Sequence, residues 1–217
     1  PLHGTTYELV PASLRNWGFT NIHTVPEQSI PDGDFPTVAS ANPEEPAAFK
    51  MALDLARKID ADLAMACDPD GDRIGIAVKN DAGEWTLLNG NQTNIIFTEY
   101  IIRRKKELNQ LKGGEYTVKT IVTTELIKDI AEKNHIICYD VYTGFKWIAD
   151  IIRKEGGEKF IGGGEESFGY MPGAFTRDKD GVSATSLMAE IAAWVKMQNK
   201  TLYSFLKEIY AKYGFSQ

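Results

Sequence analysis

Cysteine, excess positive charge and long apolar runs are all scarce in this chain of 217 residues. The two cysteines, Cys67 and Cys138, lie far apart in apolar strand-like runs, which indicates buried reduced thiols and no disulfide framework. No apolar run is long enough to span a bilayer. A net charge of −6 provides no basic footprint for nucleic acid. We therefore expect a cytoplasmic protein that binds neither membrane nor nucleic acid.

The remaining composition is typical of a folded protein, with 43% hydrophobic and 25% charged residues. The length suits one large domain or two small ones. Strand-like and helical patterns alternate along the chain, which favours the α/β class. We predict two consecutive small α/β layered domains, residues 1–88 and 89–217, each with a mixed sheet flanked by helices.

Three local patterns predict particular elements. Residues 21–25 have the pattern of a short strand, and residues 162–167, which are rich in glycine, have the composition of a tight turn. Residues 74–79 and 85–88 flank Asp81-Ala82-Gly83, which predicts a hairpin.

The most informative motif is Cys67-Asp68-Pro69-Asp70-Gly71-Asp72-Arg73, which directly follows an apolar run. Three carboxylates at alternate positions would repel one another strongly unless a cation lay between them. Carboxylate oxygens are the ligands of hard divalent cations such as Mg²⁺. Arg73 adds an anion-binding fork of the kind that a phosphate ester requires. The motif predicts metal-assisted phosphate chemistry.

The acidic motif has three other interpretations. An EF-hand loop requires glycine and glutamate where this chain has Arg73 and Lys79, so that interpretation fails. A phosphatase of the haloacid dehalogenase type places a similar acidic turn after a buried strand, but expects threonine or valine where Asp72 stands. A solvated acidic turn without a ligand is the plainest alternative.

Three further segments carry chemistry, although each is weak by itself. In Gly164-Glu165-Glu166-Ser167 a carboxylate and a hydroxyl suit the vicinal hydroxyls of a sugar. Thr143-Gly144-Phe145-Lys146 lies at a strand-to-helix junction, where a helix N-terminus and a lysine suit an anion. Arg177-Asp178-Lys179-Asp180-Gly181 precedes a helix and could hold a phosphate. The plain alternatives are a tight turn, a surface lysine and a charged loop.

Together these segments resemble the α-D-phosphohexomutases, the family of phosphoglucomutases and phosphomannomutases. The acidic motif is similar to the metal loop of that family, and Gly164-Glu165-Glu166-Ser167 is similar to its sugar-recognition loop. The other two segments match in order and separation. Pro1-Leu2-His3-Gly4 and Asn42-Pro43-Glu44 resemble the second domain of the family, so the resemblance covers essentially the whole chain.

The resemblance implies an intramolecular phosphotransferase that interconverts glucose 1-phosphate and glucose 6-phosphate through a phosphoserine and glucose 1,6-bisphosphate. Mg²⁺ would bind Asp68, Asp70 and Asp72, with Arg73 and Lys146 as catalytic residues. The implied substrate-binding residues are Glu165, Ser167, Thr143, Gly144, Arg177 and Lys179.

The resemblance also implies that this chain corresponds to domains two and three alone. The phosphoserine domain and the fourth domain would be further parts of the same polypeptide, and the chain alone would be inactive. Ser40, in Val38-Ala39-Ser40-Ala41-Asn42-Pro43, lacks the histidine of the phosphoserine motif and is rejected as that residue.

Several functions stay open at this point. A phosphomannomutase or phosphopentomutase of the same family is the nearest alternative. A phosphohydrolase with Asp68 as nucleophile, or a non-catalytic module that binds sugar phosphate or Ca²⁺, would belong to other classes. The sugar-recognition loop offers no histidine, because Phe168, Gly169 and Tyr170 follow Ser167.

Overall fold

The computed structural model describes residues 1–215, which pack into two compact units. Unit 1 contains Pro1–Asn89 and Asp180–Tyr203, and unit 2 contains Gly90–Lys179 and residues 204–215. The last helical segment of unit 1 therefore comes from far along the chain. The domain boundary predicted between residues 88 and 89 stays a prediction, because the two units are not consecutive in sequence: unit 1 also includes Asp180–Tyr203.

The helices and strands of the described residues alternate along most of the chain. The helices are α1 (Thr6–Asn16), α2 (Lys50–Lys58), α3 (Gly90–Glu107), α4 (Leu126–Lys133), α5 (Phe145–Glu155), α6 (Gly181–Lys196) and α7 (Leu202–Tyr213). The strands are β1 (Ala64–Cys67), β2 (Ile74–Lys79), β3 (Trp85–Leu88), β4 (Tyr116–Thr120), β5 (Ile137–Val141), β6 (Phe160–Gly164) and β7 (Tyr170–Met171). Short 3-10 segments lie at Pro26–Gln28, Pro46–Phe49 and Gly157–Lys159.

Unit 1 is built around an antiparallel sheet in the order β1-β2-β3. Each pair is joined by a short loop, which suits antiparallel neighbours. Alanines 64 and 66 of β1 belong to one core cluster with Phe49 and with Ala56 of α2. The Cys67 thiol instead contacts the hydroxyl of Thr185 in α6, at 3.6 Å. Since neighbouring side chains of a strand point to opposite faces, α2 and α6 cover opposite faces of β1.

Unit 2 has a mixed sheet in the order β5-β4-β6-β7. Strand β4 pairs in parallel with both β5 and β6, and β7 runs antiparallel to β6. Parallel neighbours need long crossovers, which α4 and α5 supply. The carboxyl ends of β4, β5 and β6 therefore lie at one edge of this sheet, where ligands commonly bind in α/β proteins.

The predicted α/β class is confirmed, with three corrections of detail. The first sheet is antiparallel throughout instead of mixed. The predicted strand at residues 21–25 is wrong, since these residues pair with no strand in the described part of the chain. The predicted turn at residues 162–167 is partly wrong, because glycines 162–164 belong to β6. No helix among the described residues has the length and apolar character that crossing a membrane requires.

The central strand of unit 1 offers a direct test of this packing. Ile76 in β2 is 0% exposed, whereas Ile30 is 65% exposed. We expect Ile76→Ala to lower the free energy of unfolding by about 2–5 kcal/mol, because it removes buried methyl groups and leaves a cavity. The matched variant Ile30→Ala should change it by less than about 0.5 kcal/mol. Denaturant unfolding measures both, and equal effects would contradict the core assignment.

Candidate functional site

The acidic motif forms the loop between β1 and β2 in unit 1. The register pairs Cys67 with Ile74, so residues 68–73 close a hairpin. Gly71 has a φ of +77°, a conformation that favours glycine. A Cβ there would also lie only 2.5 Å from the Thr6 side chain. The loop thus depends on glycine for both its turn and its close packing on α1.

The Asp68 carboxylate holds this loop together from inside. It is buried, and its Oδ1 accepts hydrogen bonds from the backbone N–H groups of Asp72 (3.1 Å) and Arg73 (3.0 Å). Its Oδ2 accepts a hydrogen bond from Arg73 Nε at 2.6 Å. Charge-assisted hydrogen bonds of this kind are roughly twice as strong as neutral ones. Asp68 therefore fixes the positions of Asp72 and Arg73.

Arg73 links the acidic loop to the segment that precedes α2. Its Nη1 donates to Asn42 Oδ1 (3.3 Å) and to Glu44 Oε1 (3.2 Å). Burial opposes the guanidinium charge, but the hydrogen bond with Asp68 and the charges of Asp68, Glu44 and Asp72 outweigh it and raise the pKa of Arg73. The arginine therefore remains charged at every physiological pH, as an anion-binding role requires.

The three predicted metal ligands converge. Ligand oxygens of Asp68, Asp70 and Asp72 all lie within 4.8 Å of one another, with Asp68 buried and Asp70 exposed. Oxygens on opposite sides of Mg²⁺ lie about 4.2 Å apart, because each Mg–O bond is about 2.0–2.1 Å long. The Asp68 carboxylate also retains accepting capacity beyond its three hydrogen bonds. Three carboxylates this close together are the kind of donor set that Mg²⁺ prefers.

The start of α6 packs on this acidic loop within unit 1. Gly181 N donates to Gly71 O at 3.0 Å, and a Cβ on Gly181 would lie 2.5 Å from that oxygen. The Asp180 side chain caps the helix by accepting from Val182 N and Ser183 N. In the segment Arg177-Asp178-Lys179-Asp180-Gly181, the last two residues thus support the acidic loop, a role that the sequence did not reveal.

The predicted sugar-recognition loop connects β6 to β7 in unit 2. Glu165 is buried at the end of β6, and Glu165 N donates to Gly169 O at 3.0 Å. Its Oε1 accepts a hydrogen bond from Gly144 N at 2.5 Å. Two segments that the sequence linked to substrate, around residues 144 and 165, are therefore in direct contact. Ser167 is half-buried in the same loop.

The glycines before this loop are required because neighbouring side chains lie too close to their backbone for a Cβ atom. A Cβ on Gly164 would lie 2.0 Å from Asn94 Oδ1, and one on Gly162 would lie 2.4 Å from the Tyr170 hydroxyl. Gly162 also has a φ of +144°. The glycines that suggested a turn thus let a strand pack closely on α3 and β7.

Helix α3 braces the same loop, and sequence reasoning missed this contribution. Asn94 is buried, and its Nδ2 donates to Glu165 O at 2.7 Å. A Cβ on Gly90 would lie 1.8 Å from Glu166 O. The run Gly90-Asn91-Gln92-Thr93-Asn94 carries a sequence signal for this role, because glycine, asparagine and threonine are poor helix formers. Their presence at the start of a helix indicates a capping or packing role.

Glu166 is anchored by the end of β4. Its Oε2 accepts from the hydroxyls of Thr120 (3.2 Å) and Thr123 (3.1 Å). The neighbouring Lys119 is fully buried and forms ion pairs with Glu125 and Asp140, each at 2.7 Å. Burial opposes the charge of Lys119, but these two carboxylates outweigh it and raise its pKa. A polar network therefore fixes one flank of the loop.

The segment Thr143-Gly144-Phe145-Lys146 lies at the junction of β5 and α5, as predicted. Gly144 precedes the helix with a φ of +118°, and its N–H is the one that Glu165 engages. Thr143 and Lys146 are exposed, and the Lys146 ammonium lies 5.3 Å from the centre of the Trp147 ring. The N-terminus of α5 thus already interacts with the Glu165 carboxylate, because helix N-termini favour negative charge.

Lys179 and Arg177 differ in their surroundings. The Lys179 ammonium lies 5.6 Å from the centre of the Phe145 ring, and a Cβ on Gly169 would lie 2.6 Å from Lys179 Cδ. Lys179 is therefore close to both the α5 start and the β6–β7 loop. Arg177 is exposed and donates to the carbonyls of Ala174 and Thr176 in its own segment.

Both halves of the chain match models of one protein family. Residues 1–83 match domain II and residues 89–213 match domain III of phosphoglucomutase/phosphomannomutase, each described as an alpha/beta/alpha domain. The chain belongs to the phosphoglucomutase/phosphomannomutase family. The resemblance stated from the motifs is thereby confirmed.

Known proteins similar to this chain are longer. A phosphoglucomutase of Staphylococcus aureus strain MRSA252 is 38% identical over 214 residues, which are 98% of this chain and 38% of that protein. The Staphylococcus aureus strain USA300 phosphoglucomutase matches with the same identity and coverage. The chain thus spans well under half the length of these relatives.

Solved structures share the fold. A protein assigned as a phosphomannomutase from Thermus thermophilus superposes with a TM-score of 0.76 at 24% identity, over 99% of this chain and 45% of that one. The open form of parafusin, a phosphoglucomutase from Paramecium, superposes with a TM-score of 0.71 at 21% identity, over 99% of this chain and 36% of that one. At these identities the likeness concerns the fold.

The contact between α3 and the β6–β7 loop predicts a change in stability opposite in sign to the usual effect of replacing a helical glycine by alanine. A glycine-to-alanine change in a helix ordinarily stabilises it by about 0.5–1 kcal/mol. We expect Gly90→Ala instead to destabilise unit 2 by about 1–3 kcal/mol, because the new Cβ would overlap Glu166 O. Hydrogen exchange at the amides of residues 166–168 should also accelerate.

The matched control for this change is Gly33→Ala. A Cβ on Gly33 would meet no atom within 4 Å, and Gly33 has no left-handed φ, so its replacement should leave stability nearly unchanged. A Gly90→Ala protein as stable as the parent in thermal unfolding would contradict the bracing role of α3.

Proposed function

We propose that this chain supplies the metal loop and the sugar-recognition loop of a phosphoglucomutase, which interconverts glucose 1-phosphate and glucose 6-phosphate. The observation that carries the proposal is the 38% identity to phosphoglucomutases along 98% of the chain. The convergence of the acidic side chains of residues 68, 70 and 72 supports it independently.

In the proposed function, Asp68, Asp70 and Asp72 hold Mg²⁺. When bound, the ion supplies positive charge that offsets the negative charge of a transferring phosphoryl group. Asp68 orients the loop through its hydrogen bonds to the backbone of residues 72 and 73. Arg73, which remains charged, binds phosphate oxygens from a position fixed by Asp68 and Glu44.

The sugar is proposed to bind the β6–β7 loop of unit 2. Glu165 accepts hydrogen bonds from its hydroxyls, and Ser167 donates hydrogen bonds to them, in either of two orientations of the sugar. The hydrogen bond from the Gly144 amide would hold the Glu165 carboxylate in position for the sugar. Such preorganisation matters because sugar binding then carries no cost for ordering the loop.

The cationic and amide groups near this loop are proposed to bind the substrate phosphate. Lys179 lies beside the loop, and the exposed Lys146 follows the α5 N-terminus, to which Thr143 and Gly144 belong. Lys146 would also move a proton to or from a sugar hydroxyl. Arg177 has weaker support, since its described contacts are local.

The phosphate donor is proposed to be a phosphoserine outside this chain. The serine phosphate passes to the substrate, glucose 1,6-bisphosphate forms, and its other phosphate returns to the serine. This chain covers 38% of the length of its relatives, which leaves room for a phosphoserine domain and a fourth domain in them. We accordingly propose that the chain alone binds substrate without turning it over.

Mannose or pentose phosphates are the nearest alternative substrates, since family membership does not distinguish the sugar. A phosphohydrolase with Asp68 as nucleophile has less support, because Asp68 is buried and both its oxygens accept hydrogen bonds within the loop. Membership of a mutase family also argues against it.

The function can be tested by replacing the matching segment of the Staphylococcus aureus phosphoglucomutase with this chain. We expect the chimera to convert glucose 1-phosphate faster than mannose 1-phosphate or ribose 1-phosphate. Preference for one of the other sugars would assign the alternative substrate. A chimera that unfolds cooperatively yet acts on none of them would contradict the mutase proposal.

The metal assignment predicts a measurable loss in the chain itself. Asp70→Asn should weaken Mg²⁺ binding by on the order of 100-fold, since even outer partners of a metal site contribute about 10- to 100-fold. Titration calorimetry measures the affinity, and Asp34→Asn is the control, because Asp34 is an exposed carboxylate of the same unit. Equal affinities in the parent and in Asp70→Asn would remove Asp70 from the site.

The sugar assignment predicts a separate loss. In the chimera, Glu165→Ala should lower kcat/KM by about 10- to 100-fold, because a hydrogen bond to a charged group contributes about 1.5–3 kcal/mol. Mg²⁺ affinity should be unchanged. The exposed Glu158 provides the control variant Glu158→Ala. A parallel fall in Mg²⁺ affinity for Glu165→Ala would show that the two roles are not separate.

A further inference from the structure

Arg73 has partners on two sides, both within unit 1. Its Nε donates to Asp68 Oδ2 at 2.6 Å, inside the acidic loop. Its Nη1 donates to Asn42 Oδ1 at 3.3 Å and to Glu44 Oε1 at 3.2 Å, in the segment that precedes α2. Glu44 is not part of the acidic motif, and a site with three carboxylate ligands does not require a fourth carboxylate beside it. The position of Glu44 next to the arginine therefore needs an explanation of its own.

Asn42 orients both of the groups that meet at Arg73 Nη1. Its Oδ1 accepts a hydrogen bond from Glu44 N at 3.0 Å as well as one from Arg73 Nη1, so a single amide oxygen connects the turn to the guanidinium. Asparagine side chains commonly bond in this way to the backbone two residues further on. Asn42 and Glu44 together form what we call the outer anchor of Arg73, in contrast to its inner contact with Asp68.

The outer anchor is itself fixed on the sheet of unit 1. Pro43, between its two residues, is buried, and its ring restricts the backbone angle φ. A Cβ on Gly75 in β2 would lie 2.5 Å from Pro43 O and 2.7 Å from the Phe49 ring, so the packing requires glycine at this position. Strand β2 begins directly after Arg73. The outer anchor therefore rests on the same strand that holds the backbone of the arginine in place.

The carboxylates of the acidic loop attract the guanidinium toward the place where a cation would bind. Ligand oxygens of Asp68, Asp70 and Asp72 lie within 4.8 Å of one another, and like charges this close repel strongly without a counterion. Arg73 Nε already lies 3.9 Å from Asp72 Oδ1. The Arg73 side chain is long and 29% exposed, so without the outer anchor it would turn onto Asp70 and Asp72 and compete with a metal ion.

We propose that Glu44 is a positioning residue: together with Asn42 it holds Arg73 away from the metal ligands, and it thereby keeps the acidic loop open for a divalent cation. The anchor requires a carboxylate, because it competes with the charges of residues 70 and 72 for one guanidinium. Nη2 donates to no atom of residues 1–215, so the anchored arginine retains two N–H groups for a phosphate oxygen. This role rests on the metal site of the proposed function.

The role of Glu44 can be tested by titration calorimetry of the chain with Mg²⁺ alone. We expect Glu44→Gln to weaken Mg²⁺ binding by about tenfold, because the released Arg73 competes with the ion and residues of one ion-pair network commonly couple by a factor of this order. The matched control is Glu45→Gln, which removes the same charge one residue further on, where the carboxylate accepts from Ser40 Oγ and not from the arginine. It should change the affinity by less than about twofold, since exposed distant charges are screened.

A second background separates positioning of the arginine from a merely structural effect of residue 44. Arg73→Gln removes the guanidinium charge but keeps an N–H donor where Nε stood, so the contact with Asp68 is preserved. In this background we expect Glu44→Gln to leave the Mg²⁺ affinity unchanged, because no guanidinium remains to compete with the ion. A loss of about tenfold in this background as well would overturn the proposal, since the effect would then not act through Arg73.

The outcomes also distinguish the outer anchor from the metal site. A parent chain that binds Mg²⁺ with the same affinity as Glu44→Gln would overturn the anchor and leave the metal site standing. A parent chain that unfolds cooperatively but binds no Mg²⁺ would overturn the metal site, and the role of Glu44 with it. Thermal unfolding without Mg²⁺ shows that each variant is folded, and the exposed Glu44 should tolerate replacement with little change in stability.

Discussion

The Asp68 carboxylate is the element on which the acidic loop depends. A buried charge is expensive unless its oxygens accept hydrogen bonds, and here two backbone amides and the Arg73 guanidinium satisfy it. The same contacts leave Asp70 exposed beside Asp72, with their ligand oxygens within 4.8 Å of those of Asp68. Asp68 therefore orders the loop, whereas the exposed Asp70 is accessible to a cation.

Unit 2 applies the same principle to the loop between β6 and β7. Glu165 accepts from the Gly144 amide, and Glu166 accepts from the hydroxyls of Thr120 and Thr123. Asn94 holds the backbone from the other side. Each of two adjacent carboxylates is thus oriented by a different element, and a loop braced at so many points presents its side chains in one arrangement.

Local patterns predicted much of the fold. Strands β2 and β3 were predicted with their observed bounds, since alternation and a turn motif are local signals. The glycines of β6 were misread, because glycine marks either a turn or a close approach, and only the positions of Asn94 and Tyr170 decide which. Residues 21–25 have the sequence pattern of a strand but form none in the described structure, because a strand needs a hydrogen-bonding partner that the local sequence does not supply.

Residue order alone identified the acidic motif, the α/β class and the family, because these depend on spacing and local composition. It could not show that Asp180 and Gly181 support the acidic loop, nor that Gly90 and Asn94 brace Glu165 and its neighbour. Those contacts join residues more than 70 positions apart, and folding creates them by packing. Residue types thus establish which chemistry is available, while tertiary packing decides which groups are held in place to perform it.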